Sequence, residues 1–286
     1  MNNTVYACID GLAPTPAVVD AAAWAARRLT APLALLHALE RPAPMPAVGD
    51  YGGIIGMGAQ DLLLQQLSDL DEERQQVAVQ AARHMLENAQ RRVGPDSVPS
   101  LQLLLRQGAL LDTLLELEAS ARLITMGEHH RAAGPRKLHL DHRVESVIRT
   151  VQRPVLVVTT DQFNAPTEFV VAYDGSPTAR RAVEAVARSP LLRGMPGLLV
   201  TAGEATDAAM QAQEEARALL AASGFAVGTQ MVPGEPEEAL PALLQARGQP
   251  LLVLGAYGHS RIRQFIVGST TTTLLRLCRA PVLVLR

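Results

Sequence analysis

Near the C-terminus, glycine and serine residues recur at a spacing that suits phosphate binding. Gly255 and Gly258 follow an apolar run at 251–254, and Gly268 and Ser269 come after nine intervening residues. Glycine lets a backbone approach an anion closely, and the free N–H groups at the start of a helix attract negative charge. A G-x2-G-x9-G-S pattern between an apolar run and a helix-like segment therefore predicts a cradle for the phosphates of a nucleotide.

Four side chains around this pattern could add to such a site. The Ser269 hydroxyl can donate to a phosphate oxygen or help to hold a metal ion, and Thr270 opens a run of threonines with the same donor group. Arg261 lies in the intervening loop and can offset phosphate charge, although a solvated surface arginine is an equal alternative. Asp174 ends another apolar run and can accept hydrogen bonds from a ribose; the alternative is a turn former in Asp-Gly-Ser.

No set of residues predicts catalysis. The sequence has neither a P-loop of the G-x4-G-K-S/T type nor a kinase catalytic loop, and no Ser/His/Asp arrangement is evident. We therefore expect no efficient enzyme activity, although slow ATP hydrolysis is compatible with the sequence. His129, His130, His139 and His142 cluster among basic residues, which admits a transition-metal site or a remodelled anion pocket. We favour a polar loop left by a decayed phosphate site and so predict no metal centre.

Composition limits the class of protein. The chain has 286 residues and a net charge of −2 at pH 7, which argues against a nucleic-acid binder. Hydrophobic residues make up 48%, and no apolar run reaches the roughly 18 residues of a membrane span. The first residues lack the basic start and apolar core of a signal peptide, and Cys8 and Cys278 fit reduced, buried thiols. We expect a cytoplasmic protein with neither nucleic acid nor membrane as a partner.

The chain repeats itself. Arg-Pro-Val-Leu-Val-Val at 153–158 returns as Ala-Pro-Val-Leu-Val-Leu at 280–285, and Ile-Asp-Gly at 9–11 returns as Tyr-Asp-Gly at 173–175. The pieces come in the same order in both halves, which predicts a duplicated domain. A polar segment ending at Pro166 fits a linker between the copies. The predicted domains are residues 1–160 and 166–286.

Short apolar segments alternate with amphipathic segments in each half. In the second half they run from a buried strand at 169–173 to a closing strand at 282–285. This alternation predicts parallel strands with helices on both faces. We therefore expect an α/β fold of two tandem doubly wound domains, each with a five-stranded, mainly parallel sheet. Ligands of such sheets bind beyond the carboxyl ends of the strands, where the strand order reverses, so one ligand could touch both Asp174 and Gly255.

The first half carries extra residues, partly in a Pro- and Gly-rich segment at 41–58 that predicts a long loop.

Four features together resemble the universal stress protein (UspA-type) family, in a tandem two-domain form. They are the glycine pattern, the aspartate after the first strand of the second half, the Pro-Val-Leu closing strands and the duplication. The resemblance spans nearly the whole chain and implies a fold like that of the adenine nucleotide α-hydrolases. It implies an adenine nucleotide as the ligand, first of all ATP, with or without Mg²⁺. It also implies that Asp174 lies near the adenosine and that Ala172 and Thr201 line the adenine pocket. The predicted site residues are Ala172, Asp174, Thr201, Gly255, Gly258, Arg261, Gly268, Ser269 and Thr270.

The first half departs from the family's pattern. Asp10 and Gly127 are present, but His130 stands at the second glycine position and Asp141-His142 replaces the Gly-Ser pair. A carboxylate repels a phosphate, so we predict one competent nucleotide site per chain, in the second half. In the family the closing strands pair edge to edge between domains, which implies an intramolecular pseudo-dimer of the two halves. Whether two chains then form a homodimer is left open.

Three functions are in competition. The leading one is an adenine-nucleotide-binding regulator of the stress response, in which occupancy changes shape or partners. The second is a nucleotide-independent scaffold for protein–protein interaction, and the intact pattern at 255–269 argues against it. The third is an ATP-using enzyme, such as an adenylating or sulfur-transfer enzyme. Asp174-Gly-Ser-Pro lacks the glycine-rich loop that such enzymes place after their first strand.

Overall fold

One ten-stranded sheet runs through both halves of the protein. The computed structural model describes residues 3–40, 57–95, 97–128, 141–256 and 269–286. The described elements of the first half are β1 (Thr4–Cys8), α1 (Thr15–Leu29), β2 (Leu33–Leu39), α2 (Met57–Val93), β3 (Leu101–Gln107), α3 (Leu110–Leu117), β4 (Ala121–Gly127), α4 (His142–Thr150) and β5 (Val155–Val158). Those of the second half are β6 (Phe169–Ala172), α5 (Pro177–Ala187), β7 (Gly197–Ala202), α6 (Asp207–Ala222), β8 (Val227–Val232), α7 (Pro236–Ala246), β9 (Leu251–Gly255), α8 (Ser269–Leu277) and β10 (Val282–Leu285).

The strand order is the same in the two halves. Across the sheet it reads β3-β2-β1-β4-β5-β10-β9-β6-β7-β8. Neighbouring strands within each half are parallel. In each half the first strand lies between the second and the fourth, so the strand order reverses at β1/β4 and again at β6/β9. This confirms the predicted fold of two tandem doubly wound domains and defines two switch points, where open α/β sheets bind ligands.

The two halves meet at their closing strands. β5 and β10 run antiparallel, with Val157 opposite Val282 and Val155 opposite Val284. The Thr159 hydroxyl donates a hydrogen bond to the Ala280 carbonyl oxygen over 3.0 Å. This pairing covers two apolar strand edges that would otherwise be open to other chains. The structure therefore has the intramolecular pseudo-dimer that the sequence predicts.

Each face of the sheet has its own apolar core. Val171 and Val253 belong to the core formed with α1, α2, α5 and α6. Val170 and Leu254, their neighbours in the same strands, belong to the core formed with α3, α4, α7 and α8. Because successive strand residues point to opposite faces, sequence position decides which core a side chain joins.

Helix α2 carries much of the extra length of the first half. Ala82, Leu86, Ala89 and Val93 are buried, whereas most residues between 65 and 77 are exposed. Among the residues of this 37-residue helix from 65 onwards, those that pack on the sheet therefore lie in its C-terminal part. The predicted loop lies outside the described residues up to position 56. Among the described residues, no helix combines the length and hydropathy that crossing a membrane requires.

Candidate functional site: the cavity at the second switch point

A cavity opens at the carboxyl ends of β6 and β9, where the strand order of the second half reverses. Its volume is about 180 Å³, and the end of β7 and the first turn of α8 complete its walls. Four of the predicted site residues line it, namely Ala172, Asp174, Gly255 and Thr270. The fold thus brings together residues that are distant in the sequence, at the edge where a doubly wound sheet binds ligands.

The remaining predicted residues divide into two groups. Gly258, Arg261 and Gly268 lie outside the described residues. Ser269 is the first residue of α8, which agrees with the helix start predicted from the glycine pattern. Thr201 is described in full, and its side chain is not among those that line the cavity.

Thr201 faces the other side of the sheet. The residue is 8% exposed, and its hydroxyl oxygen accepts a hydrogen bond from Gln213 Nε2 over 3.1 Å, on the side of α6. Val200 and Ala202, its neighbours in β7, line the cavity instead. Alternation along a strand turns adjacent side chains to opposite faces. The structure therefore places the Thr201 side chain on the α6 face of the sheet, away from the side chains of β7 that line the cavity, and its predicted contact with the ligand stays a prediction.

Gln213 packs behind β7, on the face opposite the cavity, and was not among the predicted site residues. It is 4% exposed, and its Nε2 also lies 3.2 Å from the Leu199 carbonyl oxygen and 3.1 Å from that of Gln230, so its two hydrogens are shared among three acceptors. These bonds tie α6 to β7 and β8. The available signal was a polar residue at helical spacing with Ala216 and Leu220, on the buried stripe of an amphipathic helix.

Asp174 forms a turn and also borders the cavity. Its Oδ1 accepts a hydrogen bond from the Ser176 N–H over 2.9 Å. The Ser176 hydroxyl caps α5 by accepting from the Ala179 N–H over 3.1 Å. Gly175 between them has φ +73°, a left-handed conformation that glycine adopts readily. A carboxylate can accept several hydrogen bonds, so this turn leaves Asp174 able to bind a ligand.

Gly255 is required by packing, which the sequence analysis did not foresee. A Cβ added there would lie 2.7 Å from the Thr178 carbonyl oxygen and 3.2 Å from Ala182 Cβ, so α5 sits directly on the strand. The first half repeats this arrangement, since a Cβ at Gly127 would lie 2.9 Å from Pro14 Cβ. Close helix–strand contact therefore explains why this glycine is present in both halves.

The start of α8 has an acidic neighbour that the sequence analysis did not identify. Thr270 Oγ1 donates a hydrogen bond to Glu237 Oε1 over 2.8 Å, and Glu237 lies in the first turn of α7. Thr271 lines the cavity beside Thr270. Two threonines therefore line the cavity at the start of α8, and the Glu237 carboxylate is bonded to one of them.

The equivalent helix start in the first half is bonded to the protein's own carboxylates. Asp10 and Gly127 line a cavity of about 260 Å³ there. Glu128 is 1% exposed, and its Oε1 accepts a hydrogen bond from the Asp141 N–H over 3.0 Å. The Asp141 carboxylate accepts in turn from the Arg143 N–H over 2.8 Å. Two carboxylates therefore lie at the start of α4.

One member of the histidine cluster is described. The Nδ1 atom of His142 lies 3.3 Å from Ser146 Oγ, within hydrogen-bonding distance. His129, His130 and His139 lie outside the described residues. In the part of the chain that the structure describes, no three side chains of the metal-binding types form a group.

The fold and the cavity define a class of protein with two tandem five-stranded α/β domains and a cavity at the strand ends of the second. The sequence model of the Universal stress protein family matches residues 1–159 and 167–286. The chain belongs to this family, in its tandem two-domain form.

Relatives extend over the full length of the chain. Universal stress protein Slr1230 of Synechocystis sp. is 31% identical over 285 residues, which is 99% of each chain. A universal stress protein from Archaeoglobus fulgidus DSM 4304 has a TM-score of 0.72 at 18% identity, covering 100% of this chain and 99% of that one. A putative universal stress protein from Pseudomonas aeruginosa UCBPP-PA14 has a TM-score of 0.62 at 17% identity, covering 99% and 92%. At such identities the two solved structures support the fold alone.

Proposed function

We propose that this protein is a non-enzymatic regulator of the stress response whose second half binds one adenine nucleotide, ATP, per chain. The observation that carries the proposal is the cavity at the β6/β9 switch point, which gathers Ala172, Asp174, Gly255 and Thr270. Membership of the universal stress protein family supports the regulatory role.

The walls of the cavity suit a flat base and its ribose. Val200, Leu240 and Leu254 provide apolar contacts, while Ala172 and Ala202 are small enough to leave room for a ring. The volume of about 180 Å³ is below the roughly 300 Å³ at which pockets for drug-sized ligands begin. We therefore assign the cavity to the adenosine portion alone, with the phosphates extending over the start of α8.

The start of α8 supplies the chemistry for the phosphates. N–H groups and the dipole at a helix start favour negative charge, and Thr271 adds a hydroxyl donor. The Thr270 hydroxyl already donates to Glu237, so it can donate to a phosphate only after leaving that carboxylate. The Glu237 carboxylate beside Thr270 repels a bare phosphate. Mg²⁺ binds through a carboxylate and phosphate oxygens together, so it would offset this repulsion. The residues present therefore favour the magnesium complex of ATP.

The contrast between the halves supports a single site. Glu128 follows Gly127 in the first half, whereas Ala256 follows Gly255 in the second. Glu128 bonds the start of α4, and an alanine has no carboxylate with which to do the same at α8. An incoming phosphate therefore competes with an internal anion in the first half and not at the matching position in the second.

The alternative function is a nucleotide-independent scaffold. One observation on the first half favours this alternative. The first half has the same strand order as the second, although its own carboxylates lie at the start of α4. If the first half binds no nucleotide, the domain fold does not depend on one. A scaffold of this kind predicts no ATP binding in either half.

A pair of matched variants tests the proposal. Ala202→Leu fills the second cavity, and Ala38→Leu fills the first from the equivalent strand. Overpacking costs about 1–3 kcal/mol, so Ala202→Leu should weaken ATP binding, measured by titration calorimetry with Mg²⁺, about tenfold or more. Ala38→Leu should leave the affinity unchanged. Equal affinities for the two variants, or a loss confined to Ala38→Leu, would refute the assignment.

A further inference from the structure

We propose that a second cavity, between the two halves, binds a small dianionic ligand with an apolar part, of the phosphate monoester class. This interdomain cleft has a volume of about 370 Å³. Leu29 and Pro154 of the first half and Leu191 and Leu283 of the second contribute to its apolar wall. The cleft lies at the amino ends of β4 and β5, so it is separate from the nucleotide cavity at the carboxyl ends of β6 and β9.

Three arginines give the interdomain cleft its charge. Arg122, Arg153 and Arg188 all line it, and none of its described lining residues is acidic. Arg122 and Arg188 are exposed, and their side chains form no hydrogen bond or ion pair among the described residues. A cleft lined by charges of one sign concentrates ligands of the opposite sign.

Arg153 is held in place for this role. Its Nε donates a hydrogen bond to the Glu118 carbonyl oxygen over 3.0 Å, which orients the guanidinium group. The Glu118 carboxylate itself accepts a hydrogen bond from the Gln152 main-chain N–H. Within the described part of the chain, Arg153 therefore keeps its terminal nitrogens free of a carboxylate partner.

The charge balance sets the class of ligand. α1 ends at Leu29 and α5 ends at Ala187, next to Arg188, so two helix ends lie at the cleft. Each helix C-terminus carries roughly half a negative charge, which leaves about two of the three positive charges uncompensated. Guanidinium groups form paired hydrogen bonds with phosphate oxygens. A doubly charged phosphate attached to an apolar group matches both the charge and the walls.

The lining of the interdomain cleft comes from both halves. A ligand bound there would therefore contact both halves and stabilise the β5–β10 junction. Arg28 of α1 already bridges the halves there, through hydrogen bonds to the carbonyl oxygens of Leu191 and Arg193 over 2.5 Å each. Ligand binding at the cleft should therefore raise the unfolding temperature of the full chain, and it should do so whether or not the nucleotide cavity binds ATP.

Phenyl phosphate is a suitable probe, because it joins a dianion to an apolar ring. Its affinity for the full-length chain should be measured by calorimetry in the presence of saturating Mg²⁺–ATP. The double variant Arg122→Gln/Arg188→Gln should bind about a hundredfold more weakly, at about tenfold for each charged hydrogen-bonding partner lost. The control Arg83→Gln/Arg106→Gln makes the same change of charge at two exposed arginines away from the cleft and should bind as the wild type does.

Several outcomes would overturn the proposal. These are absence of phenyl phosphate binding to the wild type at millimolar concentration, displacement of the probe by ATP, unchanged affinity in the double variant, or equal loss in the control. Inorganic phosphate should bind more weakly than phenyl phosphate. Equal affinities would contradict the claim that the ligand carries an apolar group. Both arginines are exposed, so the double variant should fold. If it does not fold, the binding of phenyl phosphate to the wild type in the presence of ATP still decides the proposal.

Discussion

Gly255→Ala separates two explanations for the same glycine. An added Cβ would lie 2.7 Å from the carbonyl oxygen of Thr178, a main-chain atom of α5 that cannot rotate away. Overpacking of a core costs about 1–3 kcal/mol, and replacing a strand glycine by alanine regains about 0.5–1 kcal/mol. Because the clash is with a main-chain atom, the upper half of the overpacking range, about 2–3 kcal/mol, applies. The free energy of unfolding should therefore fall by about 1–2.5 kcal/mol, measured by urea denaturation of the ligand-free chain.

Gly228→Ala is the matched control, because Gly228 is also a strand glycine. Its added Cβ would lie 3.6 Å from Leu198 Cδ1, an ordinary contact. This variant should be as stable as the wild type, or more stable by about 0.5–1 kcal/mol. If Gly255→Ala kept its stability and lost only ATP affinity, the packing argument would be refuted, and the glycine would serve the ligand alone.

Two further predictions concern groups buried in the structure. Glu128→Ala removes the acceptor of the Asp141 N–H and should lower the free energy of unfolding by about 1–3 kcal/mol in urea denaturation; Glu128→Gln keeps an acceptor and should lose less, so equal losses would contradict the role of this bond. Burial raises the pKa of Cys8, with a smaller contribution from Asp10, and burial alone raises that of Cys278, in each case from 9.0 to about 12. Neither thiol should react with a disulfide reagent near neutral pH unless the chain unfolds, and fast labelling of the native protein would contradict this. Because each folded thiol keeps its proton to a higher pH than the unfolded one, their contribution to stability is complete below pH 9.0 and is lost as the pH rises to about 12.

The strands were predictable because their signal is local. The apolar segments at 251–254 and 282–285 lie in β9 and β10 as predicted. A short run of Val and Leu between turn residues is typical of a parallel strand that is covered on both faces. The place of Asp174 and Gly255 at one cavity followed from the general rule for switch points, which needs only the order of the elements.

What could not be predicted depends on contacts between distant residues. In the pairing of β6 with β7, Ala172 lies opposite Val200. Val200 therefore shares the face of Ala172, and Thr201, the next residue, faces α6 on the other side. The bonds from Thr270 to Glu237 and from Asp141 to Glu128 join side chains and helix starts in different elements. Hydrophobic periodicity carries no information about such partners, since it reports only which face of an element is buried.

Native mass spectrometry of the full chain with Mg²⁺–ATP tests the central claim most directly. The account predicts one ATP per chain for the wild type and for Ala38→Leu, and a strongly reduced bound fraction for Ala202→Leu. Two bound nucleotides would show that the carboxylates of Glu128 and Asp141 do not exclude phosphate from the first half. No bound nucleotide in any of the three proteins would contradict the account and leave the scaffold as the function.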